Sequence, residues 1–300
     1  MAEELVEIFT PAKINLGLQV VGERPDGFHS IKTVFQTVGL FDVLTVRINA
    51  KPGDELLIEG EDELSAGADN LVNRALKRLR SENFSIPPLS IELNKNIPTG
   101  AGLGGGSSDA AAVFHLARFL GKISKLRTEK NFEIAAALGA DVPFFLTGGT
   151  ALGEGIGEEI TSLPEQKAEV LLAVPDYSID TEWAYSRLGE RGKSGSAASI
   201  GRLPDNITDE NKLWKKWDLN NIFEPLLVKK YPRHGEILQS FSRFTEYFST
   251  TGSGSGIYGL FEGEDRAQQA RAELEESWPR VDWYLTSFVH SDSCPKIDNL

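Results

Sequence analysis

The sequence predicts an α+β protein in two lobes. Its 300 residues exceed what one efficient core holds, since single cores stop growing at about 250–300 residues. Candidate strands and helices follow one another without regular βα alternation, which favours segregated α+β layers. Apolar residues make up 40% of the chain and charged ones 25%, enough to fill a sizeable core.

Residues 5–50 read as β structure. The runs INLGLQVV and DVLTVRINA are rich in branched residues, with the turn signal RPDGFH between them. ADNLVNRALKRLR (68–80) has helical spacing, with Asp69 or Asn70 as N-cap. LSIELN (89–94) alternates as a strand does. A helix is expected from about Ser108 to Leu120, where DAAAVFHLARFL repeats its apolar residues at helical intervals. The apolar stretch Ile134–Leu152 contains Asp141, Pro143 and several glycines, so it reads as buried loop and strand ends and not as a membrane span.

KAEVLLAVP (167–175) is a buried-strand candidate that opens the second lobe. GERGKSGSAASIGRLPDN (189–206) has few large apolar residues and reads as a mobile surface loop, a candidate lid on composition alone. Residues 219–247 are mainly helical in pattern. TGSGSGIYGLF (251–261) reads as a turn feeding a strand, DRAQQARAELEESW (265–278) as an amphipathic helix and VDWYLTSFV (281–289) as a closing strand.

The formal charge of -13 disfavours nucleic acid and anionic membranes as partners, while leaving room for a nucleotide in a locally positive site. One cysteine, Cys294, makes no internal disulfide, and the acidic start MAEELVEIF lacks the order of a signal peptide; a cytoplasmic setting is expected. His115, His234 and His290 are scattered and suggest no metal cluster.

The strongest local signal is Pro98, Thr99, Gly100, Ala101, Gly102, Leu103, Gly104, Gly105, Gly106, Ser107, Ser108 and Asp109. Five of the seven residues from Gly100 to Gly106 are glycine, which opens positive φ and close backbone approach. A helix follows directly, with Ser107, Ser108 and Asp109 as capping candidates. Free N–H groups and the positive dipole end at such a start favour a phosphate chain. The lysine of a Walker loop is absent, as is the acidic residue that a dinucleotide fold places about 20 positions on. The protein-kinase signatures are absent too.

PTGAGLGGGSSDAAA (98–112) resembles the ATP loop of the GHMP kinases. PAKINLGLQVVGERPDGFHSI (11–31) and LGADVPFFLTGGTALGEGIGE (138–158) resemble motifs of one branch of that family, and TGSGSGIYGLF (251–261) is similar to its carboxyl-terminal glycine motif. The resemblance implies an amino-terminal ATP-binding lobe over 1–160, a second lobe over 161–300 and an active site in the cleft between them. It implies ATP with Mg2+, and a small-molecule acceptor carrying a cytidine diphosphate group whose 2-hydroxyl is phosphorylated in non-mevalonate isoprenoid synthesis.

Chemically, Asp141 in Gly-Ala-Asp-Val-Pro-Phe-Phe either accepts a hydroxyl proton, orients that hydroxyl, or caps a turn before Pro143. The resemblance favours function. Lys13, among apolar neighbours, needs a partner or a route to solvent; the resemblance pairs it with Asp141, holding that carboxylate ionised. Asn15 is expected at the same site. Phe28 and His29 follow a tight turn; either a phenylalanine or a tyrosine ring can stack on a pyrimidine, and histidine offers a donor and an acceptor to a base edge. Tyr185 resembles the second aromatic of the base sandwich, with Thr181 nearby, while Trp183 reads as core. The stretch Gly252–Ser255 either approaches the ligand through its backbone or is a plain hairpin turn. Ser108 is a candidate magnesium contact.

Overall fold

A computed structural model describes residues 5–25, 27–49, 52–61, 64–192, 213–293 and 295–299. Cys294 and residues 193–206 of the expected surface loop lie outside that set; Gly189–Gly192 close a helix.

Two long strands, β1 (Leu5–Glu23) and β2 (His29–Ile48), organise the first sheet as an antiparallel pair. They are much longer than the runs that signalled them. Beside them lie β3 (Glu55–Glu59) and β4 (Leu89–Asn94), with β3 and β4 parallel. β5 (Thr150–Glu154) pairs with β2 and with β6 (Glu159–Ser162). The seventh strand is β11 (Lys296–Asn299), which returns from the end of the chain to pair with β1.

Helices α1 (Leu71–Ser81), α2 (Gly105–Phe119), α3 (Glu129–Ala136) and α4 (Val142–Phe145) cover one face. α1 buries Val72, Ala75, Leu76 and Leu79, the spacing of one helical stripe, and Asn70 caps it by accepting from the Val72 N–H. Ile134 therefore lies in a helix, where the sequence pattern suggested loop.

A second, antiparallel sheet has the order β10 (Val281–Ser287), β7 (Glu169–Pro175), β9 (Ile257–Phe261) and β8 (Phe248–Thr250). α5 (Thr181–Gly192), α6 (Glu224–Lys230), α7 (Pro232–Ser240) and α8 (Glu264–Ser277) complete this half. Among the described residues no helix is long and apolar enough to cross a membrane.

Alternation along β1 sets the division of labour. Ala12, Ile14 and Leu16 enter a core shared with Val170, Leu172 and Leu260 of the second sheet. Lys13 and Asn15, the intervening residues, line the cleft on the other face. One strand thus bonds the lobes together and presents the polar site.

A buried ionic cluster anchors the loop that follows β4. Lys95 Nζ donates to Asp42 and, at 2.8 Å, to Asp109 Oδ2 of α2. Asp42 Oδ1 accepts the N–H groups of Asn96 and Ile97 at 2.6 and 2.8 Å, and Thr10 Oγ1 donates to Asp109 Oδ1 at 2.9 Å. Burial and the facing Asp42 carboxylate push the Asp109 carboxyl up to about 7, against the pull of Lys95.

Removing the only cation from this cluster leaves two buried carboxylates uncompensated. Lys95→Met is expected to destabilise the fold by about 3–5 kcal/mol, measured by urea unfolding. Asp109 has a folded value above its ordinary 3.8, so across that interval the unfolded chain releases its proton first and the group's stabilisation falls as pH rises. Asp109→Asn is expected to flatten the decline in stability between about pH 5 and about pH 7; an unchanged slope would assign it to other groups.

Candidate active site

The cleft has a volume of about 900 Å³ and is lined from both halves of the chain. At its centre Lys13 Nζ stands 3.3 Å from Asp141 Oδ2 and donates to Asn15 Oδ1 at 2.7 Å. The lysine side chain is 4% exposed and the aspartate side chain 31%, so the cation is desolvated while the carboxylate faces the cleft. Phe35 lies beneath, with the ammonium 5.4 Å from its ring centroid. Asn15 Nδ2 donates to Thr33 Oγ1 at 3.0 Å, fixing the carboxamide so that its oxygen meets the lysine.

Asp141 occupies the residue before α4 and makes no side-chain capping bond. The turn-capping alternative therefore fails, and the carboxylate is committed to Lys13.

The glycine loop departs from the sequence expectation in one respect. α2 starts at Gly105, its N-cap is Gly104 in the left-handed conformation, and no side chain caps it. Ser107 and Ser108 thus sit inside the first turn and Asp109 just beyond it, drawn into the Lys95 cluster. A Cβ at Gly104 would come within 3.0 Å of Lys13 Cγ and 3.1 Å of Phe145, so only glycine lets the loop pass this close to the lysine.

The early N–H groups of α2 lack intrahelical partners by geometry, and they open beside Gly102, Gly104 and Ser107 on the cleft wall. Ser108 Oγ is buried without a hydrogen-bond partner. An orphaned hydroxyl next to free helix N–H groups fits a phosphate chain and its cation. Ala101 and Leu103 turn their side chains into the core between the sheets, so only their backbone is available. Pro98, Thr99 and Gly100 lie outside the cleft lining, with Thr99 and Gly100 exposed.

The turn between β8 and β9 closes over this loop. Gly256 N donates to Ala101 O at 3.1 Å, and Thr251 Oγ1 accepts from Asn15 N at 3.1 Å and donates to Gly102 O at 3.3 Å. Residues 252–255 form a hairpin turn, and Gly252 and Ser253 within it line the cleft.

At the far end, the rings of His29 and Tyr185 lie 5.7 Å apart, and Phe28 stands 59% exposed at the rim. His29 Nε2 is buried with no hydrogen-bond partner, a polar atom waiting for a ligand group. Tyr185 is braced edge-on by Phe223 at 4.9 Å, and burial together with the Asp141 charge pushes its phenol up to about 12, so it stays protonated. Thr181 Oγ1 meets Ser253 Oγ at 2.8 Å, joining α5 to the glycine turn. Trp183 packs among the apolar side chains around α5 and α6, as expected.

Sequence reading missed Thr33, Phe35, Thr251 and Asn221, all of which touch or support the site. None sits in a pattern that spacing reveals, because each acts through a contact distant in sequence.

Family models match in two places: "GHMP kinases N terminal domain" over residues 70–149 and "GHMP kinases C terminal" over 205–280. A 4-diphosphocytidyl-2-C-methyl-D-erythritol kinase of Porphyromonas gingivalis is 37% identical over 271 residues, covering 88% of this chain and 94% of that protein. One from Solibacter usitatus is 39% identical over 256 residues, covering 83% and 79%. A crystal structure of 4-(cytidine 5'-diphospho)-2C-methyl-D-erythritol kinase superposes with a TM-score of 0.72 at 28% identity, covering 94% of this chain and 98% of that one. Homoserine kinase from Cytophaga hutchinsonii, at 17% identity and a TM-score of 0.70, shares the fold.

A Cβ at Gly102 would meet Thr251 O at 2.5 Å, whereas one at Gly100 finds only Ser178 Cβ at 3.4 Å; both residues have φ +73. Gly100→Ala is expected to cost about 1–2 kcal/mol from the left-handed backbone alone. Gly102→Ala is expected to cost at least about 1 kcal/mol more, because two backbones must separate. Paired urea unfolding curves check the difference.

Proposed function

Because the chain belongs to the GHMP kinase family, we propose that it transfers the γ-phosphoryl group of ATP to the 2-hydroxyl of 4-diphosphocytidyl-2-C-methyl-D-erythritol. The observation that carries this reading is that one cleft holds both the Lys13–Asp141 pair, beside the two glycine turns, and the His29–Tyr185 ring pair at its far end. A phosphate-binding wall and an aromatic base site joined by a reactive carboxylate suit an acceptor that carries a nucleotide. The amino-terminal half, 1–160, supplies the nucleotide loop, and the half from 161 supplies Thr181, Tyr185 and the second glycine turn.

In this reading Asp141 accepts the acceptor's hydroxyl proton as that oxygen bonds phosphorus and the bond to the ADP oxygen breaks. Lys13 stands beside that carboxylate and adds positive charge where negative charge develops. Asn15 fixes the ammonium. The backbone of Ala101–Gly106 and the first turn of α2 hold the phosphate chain, with Ser107 and Ser108 closing it; Pro98, Thr99 and Gly100 lead into that loop from outside the cleft lining. Phe28 and Tyr185 flank the cytosine, His29 bonds its edge and Thr181 lines the path between them. Magnesium, held with the phosphates and Ser108, would spread the charge of the transferring group. A cytoplasmic setting agrees with the metabolite substrate.

Release of ADP with ATP, magnesium and the cytidyl acceptor, and not with CTP or mevalonate as acceptor, is the expected outcome for the wild-type chain. Release with an unrelated alcohol alone would move the reading to another acceptor within the family. Asp141→Ala is expected to fold with an unchanged circular dichroism spectrum and to lose about 10²–10⁴ in kcat. Near-normal turnover in that variant would refute the assigned role.

A further inference from the structure

We infer that Asn221 is a positioning residue for phosphoryl transfer, acting through the glycine turn 251–256; the inference rests on the functional reading above. Asn221 lies outside every motif that pointed to the site, and it is 3% exposed in the segment before α6. Its backbone segment bridges the first lobe: Leu18 N donates to Asn220 O at 3.0 Å, and Ile222 N donates to Leu18 O at 2.9 Å. Leu18 follows the irregularity in β1 that begins at Asn15. Asn221 is therefore mounted on the strand that carries Lys13 and Asn15.

The side chain reaches the other way. Nδ2 donates to Thr250 O at 2.8 Å and to Gly252 O at 2.7 Å, while Oδ1 accepts from Phe223 N at 2.9 Å. Both amide hydrogens and the oxygen are used, so the carboxamide has one orientation. Two neighbours steady the same residues: Glu224 Oε1 accepts from Thr250 N at 2.8 Å, and His234 Nε2 meets Thr250 Oγ1 at 2.9 Å.

The held turn delivers this placement to the reacting region. Thr251 touches Asn15 and Gly102, and Gly256 N bonds Ala101 O. Asn221 thus fixes the distance between the Lys13 strand and the phosphate loop without touching either ligand. Without its two donated bonds, Gly252 O and Thr250 O lose buried partners and the turn gains freedom over the phosphate loop. Small displacements there act on reaction geometry, where about 1 Å of misplacement costs up to about 10²-fold in rate. The cytidyl end, formed by Phe28, His29 and Tyr185, is reached only at second hand, through Phe223, whose N–H bonds Asn221 Oδ1 and whose ring braces Tyr185.

The test compares Asn221→Ala with Leu274→Ala, a buried position on α8 in the second-lobe core away from the cleft. Hydrogen exchange is read in the free proteins, well below both melting temperatures. Asn221→Ala is expected to accelerate exchange about tenfold or more in residues 251–256 and 101–104, and Leu274→Ala to leave both segments at the wild-type rate. With the acceptor, kcat per folded molecule is expected to fall about 10–100-fold in Asn221→Ala, a larger change than in its acceptor Kd, and both are expected to stay within about twofold in Leu274→Ala. Asn221→Asp, which turns a donor toward two carbonyls into an acceptor, should not rescue the rate. Wild-type exchange in residues 101–104 of Asn221→Ala overturns the inference whichever alcohol the enzyme accepts. Equal kcat losses in the alanine variants at 221 and 274 overturn it as well, by reducing the effect to stability. Absence of wild-type turnover with the cytidyl acceptor refutes the functional reading alone, and the exchange result then decides the inference.

Discussion

A buried ammonium is the demand around which the site is assembled. Lys13 is almost wholly removed from water, and an isolated cation there would be costly. Its compensation comes from three separate segments: Asp141 at the start of α4, Asn15 two residues along the same strand, and the face of Phe35 on β2. Meeting that demand fixes the approach of α4 to β1, and it leaves room for the glycine loop only where Gly104 has no side chain.

The two glycine motifs are a paired solution to a second constraint, close approach of backbone to backbone. Thr251 O lies where a Cβ of Gly102 would stand, and Ala101 O where a Cβ of Gly256 would stand. Each turn needs the other's lack of bulk. The amino-terminal glycine loop is therefore shaped from both lobes, although its family signature lies in one of them.

Legibility in the sequence followed the range of the interaction. LSIELN emerged with its bounds intact and the helix at α1 within a few residues, because alternation and helical spacing are local. The glycine loop was visible because glycine density is local too, yet its helix begins three residues earlier than apolar periodicity suggested, since glycines carry no periodic signal. Asp109 read as a capping residue, whereas burial beside Lys95 and Asp42 claims it; nothing within a short window announces a partner 67 positions away on β2. The juxtaposition of Lys13 and Asp141 came from resemblance and not from chemistry, and Asn221 had no local signature at all.

The return of β11 to β1 has a consequence for how the molecule behaves as a mechanical object. After β10 the chain crosses back, with Val289 N bonded to Thr37 O and Thr37 Oγ1 to Val289 O, before it zips onto the outer edge of the first sheet. Both termini of the described chain are thus stitched into one sheet, with the other lobe spanning between them like a loop tied at both ends. A cut between β6 and β7 would not yield two self-sufficient pieces, because the amino-terminal piece would lose its edge strand. The lobes are joined in several places as well, through two shared apolar cores and through the bridges Leu18–Asn221 and Val38–Phe288.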